Sequence, residues 1–516
     1  MLPHRNRPTL ATLSLATAIA GSASGQSDPG LFTTVIDIGP GMTAGDGDST
    51  LGNSGPITPT FLTGDVLGSD SQLNLSAGGT ILTNFSVGLL DGTGTNTELN
   101  VSGGFVESDL QANAGATVNF LGGDVGIVDA NNGGIVNILG GDVSFIDVNG
   151  GGIVNITGGE VSLDVFAGGT LNVSGGNLSS SLDTFTGGAL NISGGGFQLN
   201  GSPVTELTGE FGVSGSEEVL TGILADGTVF LFAEGSSTDF AADTVTLIEA
   251  TVAPSANPGT LSSGTFGKGV RVGETLTVTG TGELLDNFAV VGGTLNFEGG
   301  TSRGEIAITS GVLNISGGLI DEIDALAGST VNITGGEVGT SSDANFGSVF
   351  NISGGSIDGL DVNTGGIANL TGGSLGEDVV VEGTLNIAGG SVGTGLNIFD
   401  GVVNFSGGEI AEGLGVNEEG TFNVFGTAFF LDGVELNGLT LGEAFVITDR
   451  DVALTGVLAD GSAFDFDLNS TFILSEDFFD VGATLTVTLV PEPTSLCPFA
   501  LGTASLLRRR RHSHPA

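Results

Sequence analysis

The run Val154-Asn155-Ile156-Thr157-Gly158-Gly159-Glu160-Val161-Ser162-Leu163-Asp164-Val165-Phe166-Ala167-Gly168-Gly169 decides the fold. Apolar residues alternate with polar ones, and Gly-Gly pairs punctuate the alternation. A period of two belongs to a strand rather than a helix. Working outward, the motif apolar-Asn-apolar-x-x-Gly recurs with Asn at 74, 100, 119, 137, 155, 172 and 191, and again at 296, 314, 332, 351, 369, 386, 404 and, with its Gly one place earlier, 423. Apart from the first gap of 26 residues and the break between blocks, every spacing is 17, 18 or 19. Short strands at so tight a period mean a solenoid. Gly supplies the positive φ of the corners, and ~18 residues suffice for three short strands per turn.

The expected fold class is all-β: two tandem parallel β-helix solenoids of about 18 residues per coil, right-handed favoured, each closed by a non-repeat β cap. Each coil bonds to the next at ~4.8 Å and adds one layer of Val, Ile, Leu and Phe to a narrow interior. Phe120 and Phe405 fall at inward positions. A left-handed helix of hexapeptides ranks second, because coils of 17 and 19 spoil a three-by-six pattern. In period and Gly-rich composition the repeat resembles the passenger regions of autotransporter adhesins, over Leu73 to Gly195 and Leu295 to Gly426.

A larger duplication frames the repeats: Leu220-Thr221-Gly222-Ile223-Leu224-Ala225-Asp226-Gly227-Thr228 returns as Leu454-Thr455-Gly456-Val457-Leu458-Ala459-Asp460-Gly461-Ser462, an offset of 234. The expected organisation is a signal peptide at 1–25, an N-terminal lead-in segment at 26–72, a first β-helix at 73–200 and its β cap at 201–252. A linker and second lead-in at 253–294, a second β-helix at 295–426, a β cap at 427–490 and a sorting signal at 491–516 follow. Solenoid ends need caps because an open terminal coil is an edge strand ready to aggregate.

The ends read as addresses. His4, Arg5 and Arg7 precede an apolar stretch from Leu10 to Ala20 and a small-residue cleavage site at Ala23-Ser24-Gly25, the layout of a secretory signal. At the other end, Pro491, Glu492 and Pro493 precede a mainly apolar segment, Thr494 to Leu507, and the cluster Arg508, Arg509, Arg510 and Arg511. This resembles the PEP-CTERM sorting signal of Gram-negative bacteria. The apolar segment is only about 14 residues and contains Pro498, short for a span of roughly 20. The resemblance implies an exosortase-type sorting enzyme as partner and transient retention in the inner membrane. It also implies a product at the cell surface, in the envelope or in the extracellular matrix, associated with exopolysaccharide or biofilm.

Composition narrows the chemistry. Between Gln26 and Val490 only Lys268, Arg271, Arg303 and Arg450 oppose 57 carboxylates, so this stretch carries about 4 − 57 = −53. Nucleic acid is excluded as a partner for such a surface. Tyr and Trp are absent, and His4, His512, His514 and Cys497 all lie in the tails, which leaves the body without an imidazole or thiol for triads, nucleophiles or zinc.

Two outward columns remain as candidate sites. Flanking apolar residues point inward, so the repeated Asn points outward and stacks on its counterparts in a structural ladder. Nine to eleven residues further on comes an Asp, at Asp129, Asp147, Asp164 and Asp183, then at Asp324, Asp343, Asp361 and Asp378. Apolar neighbours predict that these carboxylates face solvent along one edge. At ~4.8 Å they repel by about 0.9 kcal/mol in bulk water and about four times that at an effective dielectric of 20. Two readings stay open: a solvated acidic face, or weak binding of a divalent cation such as calcium, since a single file supplies few of the ligands calcium wants. No other cofactor is expected. The expected function is a non-enzymatic structural or adhesin-like surface or matrix protein contacting exopolysaccharide or copies of itself. The alternative is a β-helix polysaccharide lyase or glycoside hydrolase using surface carboxylates, against which stand the missing sugar-stacking rings, the scarcity of cations and the lack of a concave pocket.

Overall fold

The computed structural model describes residues 31–47, 57–58, 63–165, 168–178, 182–184, 188–204, 208–209, 219–233, 240–242, 245–472 and 476–491. The expected signal peptide and the sorting signal from Glu492 onward lie outside the described residues. Among the described residues every regular element is a strand, and no helix is long and apolar enough to cross a membrane. The chain divides into two compact units, Met1–Ala256 and Asn257–Ala516.

In the first unit the strands Ala116–Ala130, Ile135–Val148, Ile153–Val165, Thr170–Leu178 and Ala189–Leu199 stack in parallel, with Asn119, Asn137, Asn155, Asn172 and Asn191 in register. Alternation does the folding here: Val136 and Ile138 are fully buried while Asn137 between them is half-buried. The Gly-Gly pair bends each coil within its strand, where the register shifts. Gly159 sits at φ +90°, and a Cβ at Gly158 would lie 2.5 Å from the Leu139 carbonyl oxygen of the coil below. Both positions therefore require glycine.

In the second unit the same coil resolves into a nine-residue strand and a short one. Val312–Ile320, Thr330–Val338 and Val349–Ile357 stack through Asn314, Asn332 and Asn351. Glu322–Ala325, Ser342–Ala344 and Leu360–Val362 stack in a separate sheet. Each unit has its own continuous apolar interior. Phe120 and Phe405 lie in these interiors, as the alternation requires.

The stacks begin earlier than the Asn motif suggests. Thr34–Ile38 pairs in parallel with Ser71–Leu75, placing Asp37 opposite Asn74. Thr260–Phe266 and Thr275–Leu284 lie under Thr294–Ser302, placing Thr277 opposite Asn296. The expected lead-in segments at 26–72 and 253–294 thus contribute coils of their own. Apolar parity is enough to set a rung, through Ile36 and Ile38 or Leu276 and Val278, all buried.

The closing segments share one design. Val245–Glu249 adds a parallel strand to Ala189–Leu199, and the hairpin Val219–Leu224/Val229–Ala233 packs antiparallel against that strand's end. In the second unit Thr484–Leu489 adds to Thr421–Leu431, and Ala453–Leu458/Ala463–Asp467 is the hairpin.

Candidate functional site

The Asn column is a continuous amide ladder. Asn155 Nδ2 donates to Asn137 Oδ1 at 2.8 Å, and Asn172 donates to Asn155 at 2.8 Å. In the second unit Asn314 through Asn423 repeat the pattern at 2.8 to 3.0 Å. Substitute residues close both ends: Asn74 donates to Asp37 at 2.9 Å, Asn296 to the Thr277 hydroxyl at 3.4 Å, and Thr486 donates to Asn423 at 2.7 Å. In the second unit each interior amide thereby keeps one N–H and one lone pair for an outside partner, whereas in the first Asn100 also donates to Glu98 at 2.7 Å.

The Asp column stands partly as expected. Asp129, Asp147, Asp164 and Asp183 follow one another in backbone register, as do Asp324, Asp343 and Asp361. Asp378 does not join them. Val380 takes the place beside Asp361, because Val379 and Val381 must both point into the core; Asp378 falls in the preceding turn at φ +59°, exposed. Nor do five of the others stand freely in solvent: Asp129, Asp147, Asp343 and Asp361 are half-buried, and Asp324 is 3% exposed.

Burial changes the chemistry of this column. It pushes the Asp129 carboxyl up, against the pull of hydrogen bonds with Asp147 and Gln111. Burial, helped by the charges of Glu305, Asp343 and Glu322, raises Asp324 well above the carboxylate range, and Asp324 Oδ2 has no hydrogen-bond partner among the described residues. Asp343 is pushed up to about 6 by burial, and Glu322 to about 7 by burial and then by Glu305, Asp343 and Asp321. Glu305 and Glu322 pair in register two residues before the column, with Ile323 pointing inward between, so the acidic patch is two outward positions wide there.

A further column relieves part of the repulsion. Two residues after four of the Asp comes a second Asn, at Asn131, Asn149, Asn345 and Asn363. Asn149 donates to Asn131 at 3.1 Å, Asn363 to Asn345 at 2.8 Å and to Asp343 at 2.9 Å, and Asn345 donates to Asp324 Oδ1. The recurring Asp-apolar-Asn triplet was the legible sign of it.

Beside the second unit's column lies a groove of about 650 Å³, lined by Thr340, Ser341, Asp358, Asp361, Glu377 and Asp378 among others. Gly359, Gly376 and Val380 complete the lining, so the polar groups it gathers are carboxylates and hydroxyls. Among the described residues no three carboxylates converge as a metal-holding group. The chain matches no protein-family model and no curated protein.

Proposed function

We propose that the chain is an exported, non-enzymatic structural or adhesin-like protein of the cell surface or extracellular matrix, associated with exopolysaccharide or biofilm. The observation that carries this reading is the repetition of the same outward groups rung after rung, with Asn on Asn through eight coils of the second unit. A surface that offers one group every ~4.8 Å suits an extended or repeating partner better than one small substrate. The signal-like N-terminus and the Pro491-to-Arg511 pattern supply the export and sorting parts of the proposal. Residues 26–490, incubated with the producing cells and their exopolysaccharide, are expected to be retained on them without depolymerising them. Release of new reducing ends or unsaturated sugars would sink it.

The acidic groove favours one second reading, a glycoside hydrolase with a carboxylate pair drawn from Asp358, Asp361, Glu377 and Asp378. It predicts sugar release that Asp361→Asn abolishes.

A further inference from the structure

The second unit carries one face that its overall charge does not reach. Consider the outward positions two before, at and two after each ladder Asn, from Asn296 to Asn423. The position before is Thr, Val or Ile in every coil, and the position after is Ser, Thr or Ala in the six coils from Asn314 to Asn404. Three positions in eight coils make 24, and only Glu298, at the edge, is charged. The backbone register keeps the position before and the Asn itself in straight rows; at the position after it shifts by one, so that Ser316 faces Gly335 and Thr334 faces Gly354. The Ser and Thr after the Asn are mostly exposed, and Ile367 is 38% exposed.

We infer that this neutral face is where a second copy of the chain docks, sheet face against sheet face. The inference sharpens the expected contact between copies of the chain by placing it on one face, and it rests on charge distribution and not on export. Two chains of net charge −48 repel at almost any other contact. Eight rungs at ~4.8 Å and five residues of strand width cover on the order of 700 Å², close to the ~800 Å² per partner of a stable interface. A second copy also brings the matching period, so that every rung meets a rung and β-branched, amide and hydroxyl rows interdigitate as in packed sheets. The spare N–H and lone pair on each ladder Asn then find partners across the interface.

The test is sedimentation velocity on the purified chain in moderate salt, across a concentration series. Wild type is expected to show reversible, concentration-dependent dimers. Thr334 and Thr371 are both exposed on the face. Replacing both by Glu, or both by Lys, buries unpaired charge in the contact, and each pair should weaken association by about tenfold or more. Lys lowers the net charge and Glu raises it, so opposite effects would mean that bulk repulsion is at work and would overturn the proposal. Thr340→Glu with Thr364→Glu, exposed and off the face, should associate as wild type; an equal loss there overturns it too. A wild type that stays monomeric also overturns it, and if the Thr334/Thr371 variants then lose exopolysaccharide retention, the face belongs to a neutral glycan. Retention lost with dimers intact counts against the matrix reading alone. Circular dichroism on each variant confirms the β signal, and the Lys pair serves if the Glu pair fails to fold.

Discussion

A ladder asparagine holds its neighbours as much as itself. Asn155 donates to Asn137 and accepts from Asn172, so Asn155→Ala strands two half-buried amide groups. We predict a loss of about 1–2 kcal/mol in urea unfolding. A change within the roughly ±0.5 kcal/mol of ordinary surface substitutions would show that the ladder is decorative. Arg450 makes a different kind of knot: its guanidinium donates to the carbonyls of Ile447, Asp449, Phe479, Asp480 and Ala483 at 3.0 to 3.2 Å. Lysine has three donors on one nitrogen and cannot span that set. Arg450→Lys is therefore expected to cost about 2 kcal/mol, nearly as much as Arg450→Ala; full rescue by Lys would mean that only the charge matters. The ladder was legible because it repeats one residue type at one offset. The failure of Asp378 was not, because counting from Asn369 ignores which valines the core must take, and the neighbouring Val379 and Val381 decide parity.

At the scale of elements, the two caps repeat one contact. In the first unit the hairpin turn presents Asp226, whose carboxylate accepts from the Gly176 N–H at 3.1 Å and from Thr228 N at 2.9 Å. In the second, Asp460 accepts from Gly408 N at 3.0 Å and Ser462 N at 2.8 Å. Each Asp thus pins its hairpin to a Gly-Gly bend, and the 234-residue duplication was already visible in sequence although the glycine it grips was not. Asp460→Ala should loosen the second cap by about 1 kcal/mol, read as faster proteolysis between 427 and 490; unchanged cleavage would remove the residue from the account. The acidic strands give a second prediction. Glu322 and Asp343 bind protons more tightly folded, at about 7 and about 6, than an unfolded carboxyl at ~4 does. Raised folded values stabilise below the unfolded value, and that stability is lost as pH rises through the folded ones. The melting temperature should therefore fall between about pH 5.5 and 7.5, a window in which ordinary carboxylates no longer titrate, and Glu322→Gln should flatten the fall. A flat wild-type profile there would mean that the patch is solvated and ionised.

For the whole molecule the governing quantity is charge, −48 in all. Like charges held on a folded surface repel more than the same charges on an expanded chain, so electrostatics alone opposes folding. Screening then acts as a stabiliser. Between ~0.01 and ~0.1 M salt the Debye length shrinks from ~30 to ~10 Å, longer than the spacing of adjacent rungs at either end. Salt in this range should raise the melting temperature mainly by damping repulsion between distant charges, while column neighbours stay coupled. Removing exposed charges tests this directly: Asp358→Asn with Glu377→Gln should raise the melting point in low salt and reduce its salt slope. Calcium at matched ionic strength separates screening from binding along the Asp columns, because a bound ion adds stability that grows with its own concentration. Equal curves for calcium and sodium would leave a solvated, partly protonated column. A melting point flat in salt, calcium and the double substitution would mean that distant repulsion has no hold on this fold, and that the long rows of like charge are tolerated at no cost to stability.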